Sequence, residues 1–298
     1  MGELSEKPTF SVVIPTYNKP KDIVEALASL ENQTFKDFEV IIVDDGSVKI
    51  EEVIEDYRRK SGLKIRYFRS PFSGKGAGFS FSLGILLSRG EYVVFFNDDA
   101  LADSKWLEEL WKVHRKGEPL VASRVIGLFQ HKFDWFNKDV GYFMGPVDTL
   151  GDNKTVFPIG LGLSIKREIF EKVGLLSINL GRKTKYRTVF GEDSVWMVKA
   201  SKAGFEIKSA PKAVIYHKTG LFGRSRVSSM IKYAYGMGVA YRIFLRERGD
   251  FWKEFPKNLL SIVYLPLRSL TAGTSGRLLS VCHVLFALGY IIGPETCG

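Results

Sequence analysis

The amino-acid sequence predicts an α/β protein in which a mainly parallel sheet is flanked by helices and followed by a helical C-terminal extension. Strand-like and helix-like segments alternate through the first two thirds of the chain. Two acidic pairs, Asp44-Asp45 and Asp98-Asp99, each follow a strand-like run. In an open parallel sheet the ligand crevice lies outside the carboxyl ends of the strands. Two acidic strand ends in one sheet therefore suggest a nucleotide and a metal ion held side by side.

The strands are predicted from short runs of β-branched and aromatic residues bounded by turn residues. The first run is closed by Pro15, and each run is followed by a helix-like segment. In chain order, the predicted strands are residues 10–14, 38–43, 64–68 and 92–96.

The helices are predicted from apolar residues at helical spacing and from uninterrupted segments without breakers. The signals are the spacing of Ile23, Leu27 and Leu30, a polar segment over 50–60, a small-residue segment over 77–87, and the apolar side of Trp106, Leu107, Leu110 and Trp111. Strand and helix repeats of this length imply right-handed crossovers, and therefore parallel strands with helices on both faces of the sheet.

The net charge of +10 lies entirely in the last third of the chain. Residues 199–298 carry 15 Lys and Arg against 5 Asp and Glu, whereas residues 1–198 carry 28 of each. Apolar runs at 259–267 and 278–293 lie in the same third, and both are shorter than the ~20 residues of a spanning helix. Two interpretations stay open: a surface that binds anionic membranes, or a helical subdomain with a solvated basic face.

The cysteine count, the N-terminal sequence and the absence of nucleic-acid-binding patterns bear on the compartment and the partners of the protein. Only two cysteines, Cys282 and Cys297, are present, which excludes a cysteine metal cluster or a disulfide framework and fits a reducing compartment. The N-terminus lacks the apolar stretch of a secretory signal, so we expect a cytoplasmic protein, peripheral on the inner face of the cell membrane if its basic tail binds lipid. No helix-turn-helix, zinc or RNA-platform pattern accompanies the charge, so no nucleic acid partner is expected.

Five motifs in order resemble family 2 glycosyltransferases with the GT-A fold. They are Ser-Val-Val-Ile-Pro-Thr-Tyr-Asn at 11–18, Ser-Leu-Glu-Asn-Gln-Thr at 29–34, Val-Asp-Asp-Gly-Ser at 43–47, the acidic pair after Phe96, and Phe-Gly-Glu-Asp-Ser-Val-Trp at 190–196. The charge and the apolar runs of the last third predict a basic, amphipathic helical region over 221–298, and the resemblance implies a catalytic domain over 1–220. It further implies inverting transfer of a sugar from a nucleoside-diphosphate sugar to a saccharide or lipid-linked hydroxyl, assisted by Mg²⁺ or Mn²⁺.

The first strand ends are expected to bind the nucleotide sugar. Asp44 or Asp45 would accept a hydrogen bond from the base, because a carboxylate pairs well with an imide or amide N–H. Gly46 permits a tight turn that brings Ser47 near the ribose or phosphate. The expected contacts are Pro15, Thr16, Tyr17, Asp44, Asp45, Gly46, Ser47, Lys75 and Asp98.

The triplet Asn97-Asp98-Asp99 corresponds to the Asp-x-Asp motif of the family, with asparagine in the first acidic place. Asp99 is expected to ligate Mg²⁺ or Mn²⁺ together with diphosphate oxygens, because hard cations at such sites use few protein carboxylates. In some relatives a histidine at the place of His217 completes the metal shell. A purely structural histidine is the alternative.

The resemblance assigns the catalytic base to Asp193, which would take the proton of the acceptor hydroxyl. Glu192 would orient that base or bind the acceptor, and Trp196 would stack on a sugar or else belong to the core. Acidic residues in the first turn of any helix are also favourable to its dipole, which is the structural alternative. A loop over about 127–155 is expected to select the acceptor.

Three other classes of protein are alternatives to this assignment. A nucleotidyltransferase would be expected to show a glycine-rich loop with a basic residue after the first strand, and a Rossmann dehydrogenase needs Gly-x-Gly-x-x-Gly there. Pro15-Thr16-Tyr17-Asn18 stands at that place instead. A non-catalytic module that binds nucleotide sugars stays open.

Overall fold

The structure of the protein is a computed structural model. It describes residues 7–128, 160–180 and 192–218, together with scattered helical positions between 238 and 291. The chain forms two compact units. The first contains 1–128, 147–176 and 200–218, and the second contains 129–146, 177–199 and 219–298. The expected domain boundary near residue 220 stays a prediction.

The first unit is built on one sheet of eight strands, in the spatial order β3-β2-β1-β4-β7-β6-β8-β5. The strands are β1 (Phe10–Thr16), β2 (Phe38–Asp44), β3 (Ile65–Arg69), β4 (Tyr92–Phe95), β5 (Ala100–Ala102), β6 (Leu120–Gly127), β7 (Leu163–Lys166) and β8 (Lys208–His217). All four predicted strands are present. The first continues through Pro15 to Thr16, because these residues stay in register with Val43 and Asp44 of β2.

The parallel pairing predicted from the crossovers holds for β1 to β4. Beyond β4 the sheet is mixed. Strand β7 is antiparallel to both β4 and β6, β8 is parallel to β6, and β5 is antiparallel to β8. The mixed half has long connections rather than regular crossovers, which is why strand and helix alternation did not reveal it.

Six continuous helices lie within the described residues. They are α1 (Pro20–Glu31), α2 (Ile50–Lys60), α3 (Ala77–Leu87), α4 (Trp106–His114), α5 (Ile169–Val173) and α6 (Glu192–Lys202). Helix α3 contacts β1 closely, since a Cβ on Gly84 would lie 2.2 Å from Cγ1 of Val13. That spacing requires glycine at position 84.

The core lies between the sheet and its helices. The central strands β1 and β2 are buried almost throughout, and Trp106 of α4 is fully buried, with its indole N–H donating to Ser123 Oγ at 2.8 Å. Parallel pairing of β2, β1 and β4 brings the segments that follow them to one edge of the sheet. Both acidic pairs lie at this edge, as predicted.

In the second unit, the described positions within 238–246 and within 284–291 are helical. Arg242 donates two hydrogen bonds, to the carbonyl oxygens of Tyr290 at 2.9 Å and Ile291 at 2.7 Å. None of the helices within the described ranges has the length and apolar character needed to cross a bilayer. The apolar run at 259–267 and the expected loop over 127–155 fall almost wholly outside the described residues.

Candidate active site

An ammonium group lies between two carboxylates at the carboxyl ends of β1 and β4. Lys19 Nζ is 2.9 Å from Asp98 Oδ1 and 2.8 Å from Asp99 Oδ2. Thr16 Oγ1 donates to the second oxygen of Asp98 at 3.0 Å. The sequence predicted a metal cation at this point. In the structure the positive charge comes from the ammonium of Lys19, which the sequence analysis did not predict. Its position directly after the Pro-Thr-Tyr-Asn segment was the available signal.

The three groups shift each other's protonation. Burial would raise the pKa of Asp99, but the hydrogen bond from His217 and the charge of Lys19 hold that pKa well below its usual range. At Asp98 burial dominates and raises the pKa, and Lys19 offsets only part of this. Burial would lower the pKa of Lys19, yet the two carboxylates raise it above its usual value. Asp99 is therefore a permanent negative charge at neutral pH.

His217 reaches this cluster through the sheet. Strand β5 begins directly after Asp99, and its first residue, Ala100, pairs with His217 at the end of β8. The pairing brings His217 Nε2 to 3.2 Å from Asp99 Oδ1, across 118 residues of sequence. Within the described part of the chain, Nδ1 of His217 is buried without a hydrogen-bond partner. The neutral tautomer that carries its proton on Nε2 suits this arrangement, because it leaves no buried N–H unpaired.

Asp44 organises the turn after β2. The side chain is fully buried. One carboxylate oxygen accepts from the backbone N–H and the hydroxyl of Ser47 at 2.9 and 2.5 Å, and the other accepts from the Tyr67 hydroxyl at 2.7 Å. Burial, and then the Asp44 carboxylate, raise the pKa of that tyrosine. The predicted base contact at Asp44 stays a prediction, and the structure adds this turn-forming role.

Asp45 connects the same turn to the start of α3. Its carboxylate accepts from the backbone N–H groups of Lys75 at 2.8 Å and Gly76 at 2.9 Å. Gly46 has φ +92°, and a Cβ there would lie 2.7 Å from Cβ of Ser73, so both backbone and space require glycine. The ammonium of Lys75 lies 5.2 Å from the ring centroid of Phe72. The backbone of Lys75 therefore lies beside the turn, and its predicted contact with a phosphate stays a prediction.

The remaining predicted nucleotide contacts line the first strand end. Pro15 is half-buried, Thr16 is buried against Asp98, and Tyr17 is exposed. Ser47 Oγ accepts from the backbone N–H of Asn18 at 2.8 Å, which ties the ends of β1 and β2 together. These residues form one edge of the sheet, which extends to Lys19, Asp98 and Asp99.

The predicted catalytic and acceptor residues lie in the first turns of α6, in the second unit. The helix begins at Glu192. Glu192 is buried and Asp193 is half-buried. Trp196 is 2 % exposed, so its ring offers little surface to a sugar. The burial of Trp196 favours the core alternative over sugar stacking.

A divalent cation fits the donor set beside Lys19. No group of three or more His, Cys, Asp and Glu in the described ranges is arranged to hold a metal by itself. However, Asp98 and Asp99 already hold a cationic group at 2.9 and 2.8 Å. Two carboxylates that share one cationic group match a hard cation that takes its other ligands from a bound diphosphate and water.

Sequence comparison agrees with this geometry. The family profile described as "Glycosyl transferase family 2" matches residues 11–174. The amylovoran biosynthesis glycosyltransferase AmsB of Erwinia amylovora is 30% identical over 244 residues, which cover 76% of this chain and 75% of AmsB. The profile match includes the strand ends that carry the two acidic pairs.

Two solved structures share the fold. The mannosyltransferase PcManGT of Pyrobaculum calidifontis, in complex with GDP-Man and Mn²⁺, has a TM-score of 0.63 at 16% identity. The match covers 97% of this chain and 88% of the mannosyltransferase chain. Residues 1–349 of S. aureus TarS, in complex with UDP, have a TM-score of 0.58 at 18% identity. The match covers 95% of this chain and 89% of the TarS chain. The predicted GT-A fold is confirmed by this likeness.

Proposed function

Because the chain belongs to glycosyl transferase family 2 and is therefore a glycosyltransferase, we propose that it transfers a sugar from a nucleoside-diphosphate sugar to an acceptor hydroxyl by direct displacement with inversion. The observation that carries the proposal is the cation position that Asp98 and Asp99 share at the edge of the sheet, with His217 bonded to the other oxygen of Asp99. A leaving diphosphate needs positive charge at such a place.

We assign the donor to the edge formed by the ends of β1 and β2. Tyr17 supplies an exposed ring there, and Asp45 holds the backbone N–H of Lys75, whose ammonium is 5.2 Å from the ring centroid of Phe72. GDP-Man in the mannosyltransferase complex and UDP in the TarS complex support a nucleoside-diphosphate sugar as the donor.

Asp98, Asp99 and His217 are the residues that would hold Mg²⁺ or Mn²⁺. The ion supplies charge that neutralises the departing diphosphate. Asp99 suits this task because its carboxyl stays ionised at neutral pH. Thr16 donates to Asp98 and so keeps that carboxylate in place. The Mn²⁺ in the mannosyltransferase complex supports the assignment.

We assign the base to Asp193 and a positioning role to Glu192. The acceptor oxygen forms a bond to the anomeric carbon while the bond from that carbon to the diphosphate oxygen breaks, and the hydroxyl proton passes to Asp193. The first turn of α6 favours a carboxylate there, since it lies at the positive end of the helix dipole.

We further propose that the second unit binds the anionic surface of the membrane. Val284, Leu288 and Ile291 are 47, 43 and 38 % exposed and are spaced at i, i+4 and i+7, so they lie on one helix face. The excess of Lys and Arg after residue 198 would attract anionic lipid. Together, the apolar face and the basic charge would bring the enzyme to lipid-linked acceptors.

A donor panel tests the proposed function. Thermal unfolding is measured with UDP-, GDP- and dTDP-sugars, each with and without Mn²⁺, because a ligand that binds only the native state raises the melting temperature by mass action. We expect one donor class to stabilise the protein, and Mn²⁺ to strengthen the effect. Release of nucleoside diphosphate in the presence of acceptor then separates an enzyme from a binding module. If no donor binds under any condition, the proposal fails.

A further inference from the structure

We propose that Lys19 is an internal counter-ion, which occupies the cation position while the diphosphate is absent and moves to the diphosphate when the metal ion enters. The inference rests on the proposed function, since it concerns the same site. It assigns a positioning role to a residue outside the predicted metal and nucleotide contacts.

The first argument is competition for the same oxygens. Lys19 Nζ lies 2.9 Å from Asp98 Oδ1 and 2.8 Å from Asp99 Oδ2, which is close to the optimum for charge-assisted hydrogen bonds. A Mg²⁺ ion would need those oxygens at about 2.1 Å. An ammonium group and a metal ion cannot both lie between them, so one must leave.

The second argument is charge balance. Asp98 and Asp99 carry two negative charges, and Lys19 neutralises one of them. His217 completes the cluster from the other side of Asp99. A metal ion that enters without a diphosphate must displace Lys19 and leave an ammonium group without its partners. A diphosphate that enters with the metal brings new negative charge, to which Lys19 can turn.

The third argument is that Lys19 can move without disturbing the fold. It caps α1, where Pro20 begins the helix and the Lys19 carbonyl accepts from the backbone N–H of Ile23 at 3.1 Å. The backbone is therefore held in place. Its side chain is 37 % exposed, and four methylene groups let the ammonium turn while the backbone stays.

The consequence is that the metal and the diphosphate bind cooperatively. Binding free energies are reciprocal, so if the diphosphate draws Lys19 from the carboxylates, it raises the affinity for the metal, and the metal raises the affinity for the diphosphate by the same factor. Without the lysine charge, the site should bind metal tightly by itself and lose part of this coupling.

The test compares Mn²⁺ binding to the nucleotide-free wild type and to Lys19→Met, which keeps most of the side-chain length and removes the charge. Free Mn²⁺ is measured by electron paramagnetic resonance, with and without inorganic pyrophosphate as the diphosphate probe. We expect Lys19→Met to bind Mn²⁺ alone at least about tenfold more tightly, because one unit charge is removed within ~3 Å of the carboxylates. We expect pyrophosphate to strengthen Mn²⁺ binding less in the variant than in the wild type.

Two further variants make the result specific. Lys21→Met removes the same charge from an exposed position on α1 and should leave Mn²⁺ affinity within about twofold of wild type. Lys19→Arg keeps the charge and should keep Mn²⁺ binding weak. If Lys19→Met does not fold, Lys19→Gln is measured in its place.

Equal Mn²⁺ affinity in wild type, Lys19→Met and Lys21→Met would overturn the inference and leave the proposed function intact. The same conclusion follows if wild type binds Mn²⁺ equally well with and without pyrophosphate. If Mn²⁺ binds to none of the proteins even with pyrophosphate present, both the inference and the metal-assisted mechanism are wrong.

Discussion

His114 should make the protein less stable as the pH falls from about 6.5 to about 4. The imidazole is buried, with Nδ1 at 2.6 Å from the carbonyl oxygen of Glu118 and Nε2 at 2.7 Å from Ser164 Oγ. A neutral ring protonated on Nδ1 donates to the carbonyl and accepts from the hydroxyl, so both nitrogens are satisfied. Burial lowers the pKa of His114 to about 4, and the carbonyl of Glu118 opposes only part of this shift.

The magnitude follows from the two pKa values. In the unfolded chain the imidazole takes up a proton near pH 6.5, whereas in the folded protein it does so only near pH 4. Between these values the unfolded state binds more protons, so the free energy of unfolding falls as the pH falls. At about 1.4 kcal/mol per pH unit, the full interval costs roughly 3 kcal/mol. This contribution is fully present above pH 6.5.

The assay is chemical denaturation of wild type and His114→Gln from about pH 7.5 to about pH 4.5. Near neutral pH the variant should be less stable, since it loses the ring contact with Tyr92, whose centroid lies 3.9 Å away. The difference should narrow by about 2 kcal/mol or more as the pH falls. Lys116→Gln, exposed close to the end of the same helix, is the matched control. A difference that stays constant with pH would refute the reasoning.

Three further predictions concern function. Asp99→Asn should weaken Mn²⁺-dependent binding of nucleoside diphosphate while the fold is kept. The control Asp56→Asn, at an exposed position on α2, should not weaken it. An unchanged calorimetric affinity in Asp99→Asn would remove Asp99 from the metal site. Asp193→Asn should keep donor binding and lower kcat by roughly 10²-fold or more, whereas near-normal turnover would move the role to Glu192. Replacing Val284, Leu288 and Ile291 by Ser should reduce co-sedimentation with anionic vesicles, which in wild type should weaken with salt. Leu86→Ser, an exposed leucine on α3, is the control, and equal vesicle binding by both variants would count against membrane docking.

Local sequence patterns determined the parallel half of the sheet and the acidic edge. The runs that became β1, β2 and β4 are buried because they are largely apolar on both faces, and this pattern can be read without any partner strand. Once these strands are parallel, the residues after them must meet at one edge. The proximity of the Asp44 and Asp98 segments therefore follows from the chain alone.

Only the tertiary structure decided the neighbours of each charged group. His217 lies beside Asp99 because β8 pairs with β5, and Lys19 reaches Asp98 and Asp99 because β1 and β4 are adjacent. Pairing across tens of residues depends on which edges remain free after the core has packed. Periodicity in the chain records only which face of each strand is buried. The sequence thus determined which residues reach the edge, and the packing of the sheet decided that an ammonium group shares the two carboxylates.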